Sequence, residues 1–139
     1  NIIGSLNFTG ILLIVFVFIF IALANIFLPS SLLKWNIMSG SVVPLMMNAS
    51  ISPELTQIIY VAAGSVTNGL TPLLAFIVIY IAFMEKYSKS ESVSLFGCFK
   101  YMVPYAITIT LIWLVVICAW YMIGVPIGIG AFPGVTYGA

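Results

Sequence analysis

The sequence predicts an all-α integral membrane protein, and two observations lead to this class. Hydrophobic residues make up 63% of the 139 residues and charged residues only 5%, against about 25% in soluble domains. Uncharged apolar runs long enough to cross a bilayer occur at 10–28 and 101–123. Within this class we predict four segments: a re-entrant helical hairpin (9–48), a discontinuous transmembrane helix (53–86), a last transmembrane helix (95–123) and a tail (124–139).

The residue inventory excludes several functional classes. A net charge of +1 gives no basis for nucleic-acid binding. The chain has no histidine and no arginine, which removes His-based acid–base catalysis, most zinc sites and a bidentate clamp for a carboxylate. No nucleophile–base pair is visible, so the sequence predicts neither an enzyme nor a bound cofactor.

The first element is predicted from a long apolar arm followed by a short one. Residues 10–28 span about 28 Å as a helix, close to the thickness of the hydrocarbon core. Pro29, Ser30 and Ser31 can end this helix and cap the next one. Residues 35–48 reach only about 21 Å. Length alone allows either a re-entrant hairpin or two ordinary spans of which the second is kinked and tilted.

The second element is predicted to be a helix that is broken in the middle. Ser52, Pro53 and Glu54 form a typical helix start, with an N-cap, a proline at the first helical position and an acid in the first turn. We expect this helix to run to about residue 63, with a second half-helix over 72–86. At about 18 and 22 Å, the two halves span a bilayer only together.

The break at 64–72 is the segment that most directly indicates function. It contains Ser65, Thr67 and Asn68 and ends at Pro72. Unwound backbone at membrane depth is tolerated where it is buried in protein or lines a water-filled cavity. Secondary transporters place discontinuous helices around a site near the bilayer midplane, so we predict a transport site here.

The remaining segments predict the topology. The loop at 87–94 is the hydrophilic segment of the chain, and Lys86, Lys89 and Lys100 cluster around it. The positive-inside rule therefore places this loop in the cytoplasm, and the C-terminal tail on the periplasmic or extracellular side. Because the chain opens with Asn1 directly before an apolar segment, we expect it to be the C-terminal part of a longer protein.

An ordered set of motifs resembles the p-aminobenzoyl-glutamate transporter (AbgT) family. It covers essentially the whole chain and comprises Lys34-Trp35, Ser52-Pro53-Glu54-Leu55-Thr56-Gln57, Tyr60, Ser65-Val66-Thr67-Asn68, Thr71-Pro72, Pro104-Tyr105 and Gly124-Val125-Pro126-Ile127-Gly128. The resemblance implies a bacterial inner-membrane, homodimeric secondary transporter with inverted repeats. This chain would be its second re-entrant hairpin, its broken eighth helix and its ninth helix. The lipid bilayer and the N-terminal half of the same protein would be its partners.

The resemblance also implies a substrate class and a set of site residues. The family is linked to uptake of p-aminobenzoyl-glutamate and to export of sulfonamide antimetabolites, driven by a proton or sodium gradient. Its hairpin-tip tryptophan corresponds to Trp35, whereas its small polar residue three positions earlier corresponds to Leu32. The family usually carries arginine and aspartate where this sequence has Val61 and Gly64. This half therefore brings no proton-carrying carboxylate of its own at these positions.

The candidate substrate-binding residues each have two readings. Trp35 stacks on an aromatic substrate or anchors the chain at the interface. The amide of Asn68 coordinates substrate or a cation, or caps a helix end. Lys34 meets an anionic substrate or a carboxylate of the N-terminal half. The other candidates are Ser31 near the hairpin tip, Ser65 and Thr67, whose hydroxyls line the site or bond to backbone, and Pro72, which keeps the helix broken.

Two alternatives to an AbgT-like transporter remain open on the sequence. A dicarboxylate or other organic-anion carrier of the wider ion-transporter superfamily would share the polar hairpin tip and the broken helix. A non-transporting membrane fragment that stabilises a partner would be consistent with the absence of charged residues at Val61 and Gly64.

Overall fold

The computed structural model describes residues 8–28, 30–71, 76–88 and 94–134, and within them the chain is built from helices. In chain order these are α1 (Phe8–Phe27), α2 (Ser31–Asn48), α3 (Pro53–Thr67), a short 3₁₀ helix (Asn68–Leu70), α4 (Phe76–Tyr87) and α5 (Leu95–Ile123). Strand-like pairing in the described part is limited to isolated bridges, Ile51 with Gly134 and Gly128 with Ala131. The all-helical class is confirmed.

Two of the helices are long and apolar enough to cross a membrane, as the sequence predicts. They are α1, through Gly10–Phe27, and α5, through Leu95–Ile123. The rise of 1.5 Å per residue makes them about 30 and 43 Å long. The shorter helices α2 and α3 contain 18 and 15 residues. That α1 and α2 form a re-entrant hairpin stays a prediction.

The core forms where α1 packs along α3, which is the most extensive contact between two helices in the described residues. Both helices place buried apolar side chains at helical spacing on the facing sides. These side chains are Ile14, Phe18 and Ile21 of α1 and Leu55, Ile59 and Ala63 of α3. The packing brings the end of α1 next to the end of α3, where the polar residues of the chain are concentrated.

The start of α3 matches the prediction, and its end extends the helix beyond it. Ser52 Oγ accepts a hydrogen bond from the Leu55 amide at 3.2 Å, and Pro53 is the first helical residue. The helix then continues through the predicted break at Gly64 as far as Thr67. The hydroxyls of Ser65 and Thr67 bond to carbonyl groups four residues earlier, at 2.8 and 3.4 Å, which is compatible with a continuous helix.

The segment after α5 folds back toward the start of α3. Gly124 ends α5 in the left-handed conformation, with a φ of 73° that glycine adopts without strain. The Ser52 amide then donates to the Pro133 carbonyl at 2.9 Å, so this segment is fastened to the loop before α3. Pro72, most of the loop at 87–94, and residues 135–139 of the tail lie outside the described residues.

Candidate functional site

A polar cluster lies where the end of α1, the start of α2 and the end of α3 meet. We define it as Asn25, Lys34, Thr67, Asn68 and Thr71. All of these except the exposed Asn68 are buried, and the side chains of Lys34 and Asn25 have no accessible surface. Burial of an ammonium group and an amide in an apolar protein is unfavourable unless each finds a hydrogen-bond partner. The hydrogen bonds within the cluster are therefore needed to stabilise it.

Asn25 is the centre of the cluster. Lys34 Nζ donates to Asn25 Oδ1. Asn25 Nδ2 faces three acceptors: the Gly64 carbonyl at 2.9 Å, Asn68 Oδ1 at 2.9 Å and Thr67 Oγ1 at 3.2 Å. An amide nitrogen has two hydrogens, so these three acceptors share them. One side chain of α1 therefore joins the start of α2 to the end of α3.

The Lys34 ammonium lies close to Gly64 on α3. A Cβ atom at position 64 would lie 3.4 Å from Lys34 Nζ and 3.7 Å from Asn25 Oδ1, so a longer side chain would meet both. The ammonium also lies 5.0 Å from the centroid of the Tyr60 ring, within the range of a cation–π contact. Position 64 thus lies directly beside the buried lysine of this chain.

Trp35 and Ser31 are held by Tyr60 on α3. The Tyr60 hydroxyl donates to the Ser31 carbonyl at 2.5 Å. The Trp35 and Tyr60 rings are 4.7 Å apart with an interplanar angle of 60°, a tilted aromatic pair. Half-buried Trp35 therefore packs on protein, and the first turn of α2 is fixed to the middle of α3.

The Thr71 hydroxyl shares its one hydrogen between backbone carbonyls at the ends of two helices. Its hydroxyl lies 3.1 Å from the Thr67 carbonyl and 3.2 Å from the Asn25 carbonyl. Carbonyls in the last turn of a helix have no intrahelical partner, and a buried one needs another donor. The residue that follows the 3₁₀ helix thus stabilises the point where α3 ends.

A cavity of about 660 Å³ lies next to the polar cluster, within the usual size range of small-molecule sites. The polar residues among those that line it are Ser31, Asn68, Thr71 and Tyr80. Three aromatic side chains line it at the spacing of one helix face of α4. The full lining is Ser31, Asn68, Gly69, Thr71, Phe76, Ile77, Ile79, Tyr80, Phe83 and Met102.

The structure brings together some of the predicted site residues and separates others. Lys34, Thr67 and Asn68 belong to the polar cluster, and Ser31 and Asn68 line the cavity. Ser65 instead lines a second cavity of about 520 Å³, with Glu54 and Gln57. Trp35 is not among the residues that line the 660 Å³ cavity, and the prediction for Pro72 lies outside the described residues.

Sequence reasoning missed several members of the site. Asn25 stands out as the one strongly polar side chain of the first apolar run, yet its partners depend on the packing of α1 against α3. Phe76, Tyr80 and Phe83 recur at intervals of four and three residues, a signal for one helix face that was available in the sequence. Among the described residues, no group of three His, Cys, Asp or Glu side chains could hold a metal ion.

Comparison with known proteins identifies the class. The chain matches the model of the AbgT putative transporter family over residues 1–135, and it belongs to that family of membrane transport proteins. The resemblance seen in the motifs is thereby confirmed.

A particular relative is similar over most of the chain. The p-aminobenzoyl-glutamate transport protein of Escherichia coli (strain K12) is 28% identical over 107 residues, which cover 77% of this chain and 21% of the relative. The matched region therefore spans about a fifth of the length of that relative. No solved structure matches the chain.

Proposed function

We propose that this chain forms part of a secondary active transporter of the bacterial inner membrane. Its substrate would be a small aromatic molecule that carries hydrogen-bond acceptors, such as p-aminobenzoyl-glutamate or a sulfonamide. The substrate would occupy the 660 Å³ cavity between the end of α3 and α4. Family membership and the similarity to the p-aminobenzoyl-glutamate transport protein of Escherichia coli support this class of substrate.

The position of Asn68 is the observation that carries the proposal. Asn68 begins the 3₁₀ helix, where α3 has ended, and it belongs both to the polar cluster and to the lining of the cavity. It is exposed, whereas the neighbouring Thr67 is buried. A polar helix end that opens on an apolar cavity is the arrangement expected of a site built around a discontinuous helix.

The lining of the cavity fits an aromatic ring better than a purely aliphatic acid. Phe76, Tyr80 and Phe83 line the cavity and recur at intervals of four and three residues, the spacing of one face of α4. Offset or edge-to-face contacts with a substrate ring contribute about 0.5–1.5 kcal/mol each beyond the burial of apolar area. This face would therefore supply the stacking that is one of the two roles predicted for Trp35, while Trp35 would hold α2 against Tyr60.

The proposal extends to topology and energy coupling. We infer that the loop at 87–94 is cytoplasmic, that the C-terminus is periplasmic or extracellular and that the protein is a homodimer. Transport would draw on a proton or sodium gradient, and movement of the α1–α2 hairpin against the rest of the protein would alternate access to the cavity. With valine at 61 and glycine at 64, the proton or sodium carrier would lie in the N-terminal part of the protein.

The test is flux measured with the full-length protein in proteoliposomes. Uptake or efflux of radiolabelled p-aminobenzoyl-glutamate and of a radiolabelled sulfonamide is compared for wild type, Asn68→Ala and Asn36→Ala. Asn36 is an exposed asparagine on α2 and serves as the matched control. We expect transport by wild type and Asn36→Ala, and loss of transport in Asn68→Ala at equal reconstitution.

Three other outcomes would contradict the proposal. Undiminished flux in Asn68→Ala would show that the cavity is not the site. Transport of dicarboxylates without transport of either aromatic compound would favour the wider family of organic-anion carriers. A wild-type protein that folds and transports none of these compounds under any ion gradient would support a non-transporting membrane protein.

A further inference from the structure

The buried Lys34 fixes which atoms donate and which accept along two side-chain amides, Asn25 and Asn68, that lead to the cavity. An ammonium group only donates hydrogen bonds, so the atom of Asn25 that faces Lys34 Nζ must be its oxygen. This choice leaves the nitrogen of Asn25 facing Gly64, Thr67 and Asn68. The two orientations of an asparagine amide are otherwise hard to distinguish, and here the charge of Lys34 decides between them.

The same constraint passes to Asn68. Because Asn25 Nδ2 is a donor, the atom of Asn68 that lies 2.9 Å from it is the acceptor, Oδ1. The Gly64 carbonyl at 2.9 Å holds Asn25 in the same orientation, since a carbonyl accepts and cannot pair with Asn25 Oδ1. With its oxygen turned to Asn25, exposed Asn68 has its NH₂ group left for the cavity that it lines.

We propose that Lys34 and Asn25 are positioning residues that set Asn68 as a hydrogen-bond donor toward the cavity. The cavity would therefore select ligands that present an acceptor at this point, in particular a carboxylate, over matched ligands that present a donor. Lys34 does not line the cavity, so it acts through Asn25 and Asn68 and not by contact with the ligand. This inference rests on the proposed function, because it assigns the polarity of that same site.

Substitution of Asn25 by aspartate is the sharpest perturbation. The two side chains have the same shape, and a carboxylate at position 25 still accepts from Lys34. Its other oxygen replaces the donor Nδ2 with an acceptor, so Asn68 must turn its NH₂ group inward and present Oδ1 to the cavity. The polarity of the site reverses, and the adjacent ammonium compensates the new charge. The new oxygen also faces the Gly64 carbonyl, to which Asn25 Nδ2 donates at 2.9 Å, and the repulsion between these two acceptors opposes folding of the variant.

The probes are a matched pair, 4-aminobenzoate and 4-aminobenzamide: the carboxylate of the first only accepts hydrogen bonds, whereas the carboxamide of the second accepts through its carbonyl and donates through its NH₂ group. Binding of each probe to the purified full-length protein is measured for wild type, Asn25→Asp, Lys34→Met and the control Asn36→Asp, which adds the same charge at an exposed position of α2. Hydrogen bonds to charged groups are strong enough that their loss changes affinity by about tenfold or more.

We expect wild type and Asn36→Asp to prefer the benzoate by about tenfold or more. Asn25→Asp should lose this preference or reverse it in favour of the benzamide. Lys34→Met removes the donor that faces Asn25 Oδ1 and leaves the Gly64 carbonyl as the remaining constraint on that amide, so the preference for the benzoate should weaken while binding of the benzamide persists. Lys34→Met also provides the answer if Asn25→Asp fails to fold, because it adds no charge to the cluster.

The outcomes separate this inference from the proposed function. A wild-type benzoate preference that stays unchanged in Asn25→Asp and in Lys34→Met would overturn the positioning role and leave the site in place. Binding of neither probe by the wild-type protein would overturn both. An equal loss of both probes in the folded variants would show that Lys34 and Asn25 support the cavity without setting its polarity.

Discussion

The hydrogen bond from Lys34 to Asn25 can be tested by its contribution to stability, with Asn25→Leu, Lys34→Met and the double variant. Both side chains have no accessible surface. A hydrogen bond with a charged partner contributes about 1.5–3 kcal/mol, and a neutral one about 1 kcal/mol. Since Asn25 Nδ2 makes the equivalent of two further bonds, Asn25→Leu should lower the free energy of unfolding by about 3–5 kcal/mol.

The double variant carries the decisive comparison. Asn25→Leu alone leaves a buried ammonium without its acceptor, and this penalty disappears when Lys34 is also replaced. The loss in the double variant should therefore be smaller than the two single losses combined, by about 1–3 kcal/mol. Polar contacts between membrane helices average less than this, about 0.6 kcal/mol, so a large coupling would mark the charged pair.

The assay is unfolding of the full-length protein in mixed micelles by titration with sodium dodecyl sulfate, followed by far-ultraviolet circular dichroism. Asn36→Leu and Lys86→Met are the matched controls, because both side chains are exposed. Each should change the free energy of unfolding by less than about 0.5 kcal/mol. If the losses in the two single variants sum to the loss in the double variant within about 0.5 kcal/mol, the hydrogen bond between Lys34 and Asn25 is refuted.

Further predictions concern the contacts around the cluster, each measured by the same unfolding assay. A Cβ atom at position 64 would lie 3.4 Å from Lys34 Nζ. Gly64→Asp should therefore change the free energy of unfolding by less than about 1 kcal/mol because the carboxylate pairs with the ammonium, whereas Gly64→Leu should lower it by about 2 kcal/mol or more. Equal effects of the two substitutions would contradict this geometry. Tyr60→Phe should lower stability by about 0.5–1.5 kcal/mol because it removes the donor to the Ser31 carbonyl. Tyr60→Leu should lower stability further because the contact with the Trp35 ring is also lost. Identical losses in the two variants would exclude a contribution from the aromatic pair. Gly69→Ala would place a Cβ atom 2.8 Å from Met102 Cε. Because the end of a methionine side chain moves easily, we expect a loss of stability below about 1 kcal/mol, which the additional substitution Met102→Ala relieves. A larger loss that persists with Met102→Ala would place the strain elsewhere.

Much of the fold follows from local signals in the sequence. The apolar runs that become α1 and α5, and the Ser52-Pro53-Glu54 start of α3, are each determined by composition or by capping within a few residues. The end of α3 is less predictable, because Gly64 is compatible with both a helix and a break. Packing against α1 keeps it helical to Thr67, and the Ser65 and Thr67 hydroxyls fit within this helix by bonding to carbonyls four residues earlier.

The site is predictable only in part, because its bonds join residues far apart in the chain. Lys34, Thr67 and Asn68 stand out as polar residues in an apolar sequence, and the structure joins them. Their common partner is Asn25, which lies 39 residues before Gly64 and 43 before Asn68. No local sequence pattern indicates such a pairing, because it arises from the packing of α1 against α3.

The central claim is that Asn68 faces a substrate cavity, and cysteine labelling tests it most directly. In the full-length protein with Cys98 and Cys118 replaced, a membrane-impermeant maleimide is applied to Asn68→Cys and to Thr67→Cys. Because Asn68 is exposed and Thr67 is buried, position 68 should react quickly and position 67 slowly, and p-aminobenzoyl-glutamate should slow the reaction at 68. Equal inertness at both positions, or rapid labelling at 68 that neither p-aminobenzoyl-glutamate nor a sulfonamide slows, would contradict the account.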